Sequence, residues 1–118
     1  MKYMLLIYQA EQSLNEPERE ACYVESARLA RDLHAKGQYL AAAPLHPSTT
    51  ATSVRVRDGS TLLTDGPFAE TREQLAGFYM LELDSIDEAI EWAARIPGAR
   101  DGSVEVRPLM VYDRAVAH

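Results

Sequence analysis

"AGFYMLELDSIDEAIEWAARIPGARDGSVEVRP", Ala76 to Pro108, holds a strand, a helix and a second strand in 33 residues. Its first part, Ala76 to Asp84, is aromatic and aliphatic and reads as a strand. Ser85 and Glu88 then form a capping box, in which each end satisfies a donor of the other. Ile86, Ala89, Ile90 and Ala93 recur at helical spacing and predict the buried stripe. Trp92 falls at the edge of that stripe, half-buried or turned toward a partner. Pro97-Gly98 stops the helix. After it, Val104 and Val106 alternate with Glu105 and Arg107, the period of a strand with one wet face. That strand is expected to run from Ser103 to Tyr112.

The start of the chain repeats the unit. Lys2 to Tyr8, "KYMLLIY", is almost continuously apolar and suits a central strand covered on both faces. Asn15, Pro17 and Glu18 signal a helix start. The helix is expected to reach about Lys36, where Gly37 offers a left-handed stop. Cys22, Ser26, Leu29 and Leu33 form its inner stripe, with Tyr23, Ala27, Ala30 and His34 as a shoulder. Gln38 to Leu45 reads as the next strand. Between the two units, Ser53 to Leu63 predicts a hairpin turning at Asp58-Gly59. Two strand–helix–strand halves with hairpin strands between them predict an α+β sandwich of ferredoxin-like type. Its sheet would be mainly antiparallel, with both helices on one face. The other sheet face would be open for a second subunit.

The 118 residues suit one domain, residues 1–118, and a single core. Net charge is −6, and no Lys/Arg run occurs, which argues against a nucleic-acid surface. The apolar start is too short to span a membrane. Cys22 is the only cysteine, so no intrachain disulfide and no cysteine-rich zinc site can form. A cytoplasmic location follows as the expectation. No histidine pair has metal-ligand spacing, and there is neither a phosphate-cradling loop nor a nucleophile elbow. No cofactor or metal is indicated.

Thr64 to Gln74, "TDGPFAETREQ", carries more polar chemistry than a connection needs. Together with "EAIEWAAR" and the closing "EVRP", and with "MKYMLLIY" at the start, it resembles the DGPF branch of the YCII-related proteins. The likeness covers most of the chain and is weakest between Gln9 and Ser26. It implies a ferredoxin-like fold of the dimeric α+β barrel type, pairing of two subunits through their sheets, and a cleft near the dimer interface. The implied activity is ill-defined. A small-molecule enzyme is one expectation, and a regulatory module linked to an extracytoplasmic-function sigma factor is the alternative. The wider group is associated with an acid/base pair of a helix histidine and an aspartate. Here Ser26 stands at the helix-histidine position, His34 lies two turns later, Ala43 replaces a usual glycine, and Arg72 stands where many relatives have lysine.

Asp65 is the first candidate for chemistry, as a base or polar anchor at a cleft mouth. The competing reading is an Asx-type turn that bonds its own backbone. Gly66 would supply the unusual backbone angle, and Phe68 would pin the loop by burying its ring. Glu70 and Arg72, two apart in an extended stretch, would point the same way and bind a polar substrate or each other. Glu73 would cap or pair locally. Arg107 would either hold Asp65 charged in the cleft or join Glu105, Arg55 and Arg57 in a cross-strand network. His46, at a strand end, suits a pocket rim. Tyr79, a strand aromatic, reads as core.

Overall fold

The computed structural model describes residues 1–111. β1 (Lys2–Gln9) is followed by α1 (Glu16–Ala35), β2 (Tyr39–Pro44), a 3-10 turn (Ser48–Thr50), β3 (Thr52–Arg57), β4 (Ser60–Asp65), β5 (Gln74–Glu82), α2 (Ile86–Arg95), the short α3 (Gly98–Asp101) and β6 (Ser103–Pro108). Four strands form one sheet in the order β2-β5-β1-β6, with every described pairing antiparallel. β3 and β4 form a separate two-stranded ribbon. This is a mixed α+β fold of the ferredoxin-like, dimeric α+β barrel type.

Most local signals act as expected; at α2 only half of the predicted capping box forms, the Ser85 hydroxyl accepting the Glu88 amide at 3.3 Å while the Glu88 carboxylate accepts from the Asp84 amide and from Gln38. The Asn15 side chain accepts from the Glu18 amide at 2.9 Å, and the Asn15 amide donates to the Glu18 carboxylate at 3.0 Å, completing the capping box. Gly37, at φ +70°, terminates the chain's first helix in the left-handed region. Asp58 (φ +51°) and Gly59 (φ +77°) both take positive φ, as a two-residue hairpin turn with the twist of its strands requires. The last strand ends earlier than its periodicity suggests. β6 stops at Pro108, just after which the Leu109 amide still donates to the Lys2 carbonyl oxygen at 2.9 Å. Tyr112, the expected end of that strand, lies outside the described residues.

Tyr3 and Leu5 of β1, Tyr79 and Leu81 of β5, and Leu29 and Leu33 of α1 form the core with the inner face of α2. That inner face is rotated from the expected one. Ala89, Trp92, Ala93 and the following Ile96 are buried, whereas Ile86 and Ile90 are exposed. Burying an indole and Ile96 removes more apolar surface than burying Ile86 and Ile90, so the larger side chains set the helix phase. Trp92 is only 5% exposed. Its ring is capped by the charged ends of Lys36 and Arg95, 5.1 and 4.6 Å from the ring centroid. It therefore presents no partner surface.

Alternation along β1 and β5 sends Met4, Leu6, Tyr8, Phe78 and Met80 to the sheet face opposite the helices. These side chains are half-buried, and no described element covers them. No described helix is long and apolar enough to cross a membrane.

Candidate functional site

The pairing of β1 with β5 slips by one residue between Ile7 and Tyr8, so that Ala76 has no partner across the ladder. Beside this bulge, small residues face one another. Ala27 and Ala30 of α1 lie over Ala42 and Ala43 of β2, with Ala76 and Gly77 of β5. Side chains this short cannot fill the space between helix and sheet. A cavity of about 270 Å³ results, whose lining also includes Ile96, Pro97 and Gly98. Gly77 keeps the edge of the sheet tight, since a Cβ there would sit 2.9 Å from the Ala43 carbonyl oxygen.

Few polar groups reach this cavity. Tyr79 donates its hydroxyl to the Ser26 carbonyl oxygen at 3.0 Å, and burial raises the phenol pKa. Cys22, Ser26 and Gln9 also line the wall. Burial, followed by the negative charge of Asp101, pushes the Cys22 thiol up, while Arg100 acts the other way. A thiol held protonated is a poor nucleophile. Near neutral pH Cys22 is therefore expected to react with iodoacetamide more slowly than free cysteine. Asp101→Asn should speed the reaction; an unchanged rate would show that Asp101 does not act on the thiol.

Two further depressions continue from the cavity. Gln9, Cys22, Tyr23 and Ala76 are shared with a second hollow that also takes in Arg19, Leu45 and His46. That hollow shares Ala10 to Ser13 with an open, polar cleft of about 810 Å³. Asp65, Gly66, Pro67, Glu70, Thr71 and Arg72 form one side of the cleft, and Ser48 and Thr49 another. The β1–α1 connection thus borders both the hollow and the cleft, and the three adjoining depressions make up a trough. Glu11 fixes the connection, because its carboxylate accepts the Ser48 amide at 2.7 Å.

The DGPF segment is held largely by its own polar residues. Gln74 donates to the carbonyl oxygens of Ala69 and Thr71 at 3.2 and 2.8 Å. Thr71 donates its hydroxyl to the Glu73 carbonyl oxygen at 2.6 Å, and Ser103 donates to the Glu73 carboxylate at 3.2 Å. Gly66 takes φ +97°, and its amide and carbonyl are held by the Ala51 carbonyl and the Ser53 hydroxyl. These bonds do for the turn what an Asx turn would otherwise do. Among the described residues, the Asp65 carboxylate accepts no hydrogen bond and makes no ion pair, and Asp65 is exposed at the cleft.

Asp65, Glu70 and Arg72 therefore come together, and His46 rims the adjoining hollow. Glu70 and Arg72 do not pair with each other among the described residues. Two other expectations are corrected. Phe68 is 81% exposed and lines none of the three depressions, because the Gln74 and Ser53 hydrogen bonds hold the loop without it. Arg107 meets Glu105 at 3.8 Å on the exposed sheet face and does not approach Asp65. The cross-strand network with Arg55 and Arg57 does not form either, since β3 and β4 leave the main sheet. His34 stacks on Tyr39, with ring centroids 4.0 Å apart, and lies outside the trough. Among the described residues, no group of three or more His, Cys, Asp or Glu side chains could hold a metal ion.

The YCII-related domain matches residues 1–113. The chain belongs to the YCII-related domain family. An uncharacterized YCII relative, protein R00369 of Rhizobium meliloti (strain 1021), is 40% identical over 121 residues, 95% of this chain and 94% of its own. The 5-chloro-2-hydroxyhydroquinone dehydrochlorinase TftG of Burkholderia phenoliruptrix AC1100, solved in complex with 2,5-dihydroxybenzoquinone, shares the fold. It superimposes with a TM-score of 0.58 at 14% identity, over 97% of this chain and 98% of that one. Within this YCII chain, the wall of α1 that carries Ser26 faces the alanine-lined cavity.

The alanine cavity and the role of the β1–α1 connection escaped the sequence reading. Their signal was the clustering of small residues at Ala27/Ala30, Ala41–Ala43 and Ala76-Gly77. On separate elements, such residues are uninformative until the elements face each other.

Proposed function

We propose that this protein is a homodimeric small-molecule-binding protein whose ligand lies along the trough. An apolar ring or short chain would occupy the alanine-lined cavity, and a polar end would point toward Asp65 and Arg72. The observation that carries this reading is the adjacency, through shared lining residues, of an apolar cavity and a cleft whose Asp65 carboxylate has no partner among the described residues. Ligand sites typically combine apolar walls with a few convergent polar groups. Homodimer formation is supported by the uncovered apolar sheet face, which a second sheet would bury.

If the protein catalyses a reaction, acid/base work falls to Asp65. Ser26 has no adjacent base, the Cys22 thiol is held protonated, and His34 is outside the trough. An unpaired carboxylate can accept a proton from a bound hydroxyl or activated C–H and return it later. The small cyclic ligand of the structurally similar TftG supports a ring-sized occupant.

The test is a thermal-shift screen of hydroxylated aromatics and short aryl acids and amides. Hits would be titrated against Ala27→Phe, which fills the cavity, and Asp65→Asn, which keeps the shape and removes the charge. Ala27→Phe is expected to weaken binding by about tenfold or more, and Asp65→Asn by several-fold with Tm unchanged. If Asp65→Asn lowers Tm and leaves affinity intact, Asp65 is a turn residue and the reading of the cleft fails.

A further inference from the structure

The hairpin formed by β3 and β4 has no cover among the described residues. Its register places Val54, Val56 and Leu63 on one face and Arg55, Arg57 and Leu62 on the other. Val54, Val56 and Leu63 are 60%, 61% and 69% exposed. A free two-stranded ribbon is marginally stable in water, and an apolar stripe along it invites a partner. The shape agrees. The radius of gyration is 16.3 Å, against about 13.5 Å for a compact chain of this length. The accessible surface is 8462 Å², against roughly 6400 Å² for a compact monomer of this mass. The difference exceeds the ~800 Å² per partner that a stable interface buries.

We infer that this hairpin is an arm that packs, through Val54, Val56 and Leu63, on a second copy of the chain. The inference rests on the homodimer reading and assigns that dimer an anchor outside the sheet faces. A second copy fits because of what a two-fold pair can cover. Two apolar surfaces, the arm and the open sheet face, are uncovered among the described residues, and a two-fold pair can cover both in both copies. The arm's base, Asp65 to Pro67, is a wall of the polar cleft. Docking the arm would fix that wall, so the cleft takes its final form only in the pair.

The experiment compares the wild-type chain with Val56→Asp/Leu63→Asp by sedimentation equilibrium, with hydrogen exchange on both. The wild type is expected to be a dimer whose β3 and β4 amides are protected. The double variant should dimerise at least about tenfold more weakly, with those amides exchanging freely and the β1 and β5 amides still protected. A monomeric wild type overturns both the dimer reading and the arm. A dimeric wild type with an unchanged dissociation constant in the double variant overturns the arm alone. Should the double variant misfold, replacing Val54–Leu63 by a short Gly-Ser loop applies the same criteria to a chain without the stripe.

Discussion

Trp92→Ala is expected to destabilise the fold by about 3–5 kcal/mol, the range for deleting a buried aromatic ring. The indole lies in the core at 5% exposure, beside Ala89 and Ala93 on α2, whose short side chains cannot swell to fill the space it leaves. The variant also loses the contacts that Lys36 and Arg95 make over the ring face. Those belong to exposed cations and add less than the cavity term. In a domain of this size the change should lower Tm by 10 °C or more, by roughly 3–6 °C per kcal/mol. Because Trp92 is the only tryptophan, its fluorescence gives a second readout. Native emission should be that of a buried indole and should shift red on unfolding. A docking tryptophan would behave in the opposite way: Trp92→Ala would leave Tm within a degree or two and remove a partner.

The same residue shows where sequence reasoning succeeds and where it stops. Capping residues and the spacing of apolar positions place α2 within a residue or two, because these signals act over one turn of chain. Which face turns inward is a competition between whole side chains. The Ile86/Ile90 stripe and the Trp92/Ile96 stripe overlap at Ala89 and Ala93, so periodicity alone does not separate them. The sheet they cover decides. The strands are legible for the same local reason, down to the positive φ at Asp58 and Gly59. The departure of β3 and β4 from the main sheet is not, since an alternating ribbon looks alike paired to a sheet or standing free.

The site was legible in part. The DGPF segment announced itself by composition, and Asp65, Glu70 and Arg72 do share a cleft. Phe68 failed because an aromatic in a polar loop has two physical fates, burial in its own chain or exposure toward another, and local sequence does not distinguish them. Arg107 failed because strand alternation fixes its face but not its neighbours at a distance along the chain as great as that to Asp65. The alanine cavity was invisible because it is made by what its residues lack.

Gly102→Ala is expected to be nearly as damaging as the loss of Trp92, by about 3 kcal/mol, although it adds a single methyl group. Gly102 links α3 to β6, and its amide donates to the Gly98 carbonyl oxygen at 2.8 Å. A Cβ at this position would fall well inside contact distance of the Tyr8 carbonyl oxygen and 3.1 Å from the Gln9 Cα. Both are backbone atoms, so no side chain can rotate away. Gly98 is the useful contrast, because its added Cβ would meet the Ile7 Cγ2 at 2.6 Å, the end of a side chain that can shift. Gly98→Ala should therefore cost less. In Gly102→Ala the end of β1 must move off β6, where Tyr8 pairs with Ser103. That end is also where Gln9 enters the wall of the alanine cavity and the β1–α1 connection begins. The variant should thus lose ligand affinity under conditions where it remains folded, whereas a core variant remote from the trough, such as Leu81→Ala, should lose stability alone. Denaturant unfolding of the three variants, paired with titration of a hit from the thermal-shift screen, separates these effects. Equal stability losses in Gly98→Ala and Gly102→Ala would show that the backbone contact at Tyr8 is not the controlling constraint.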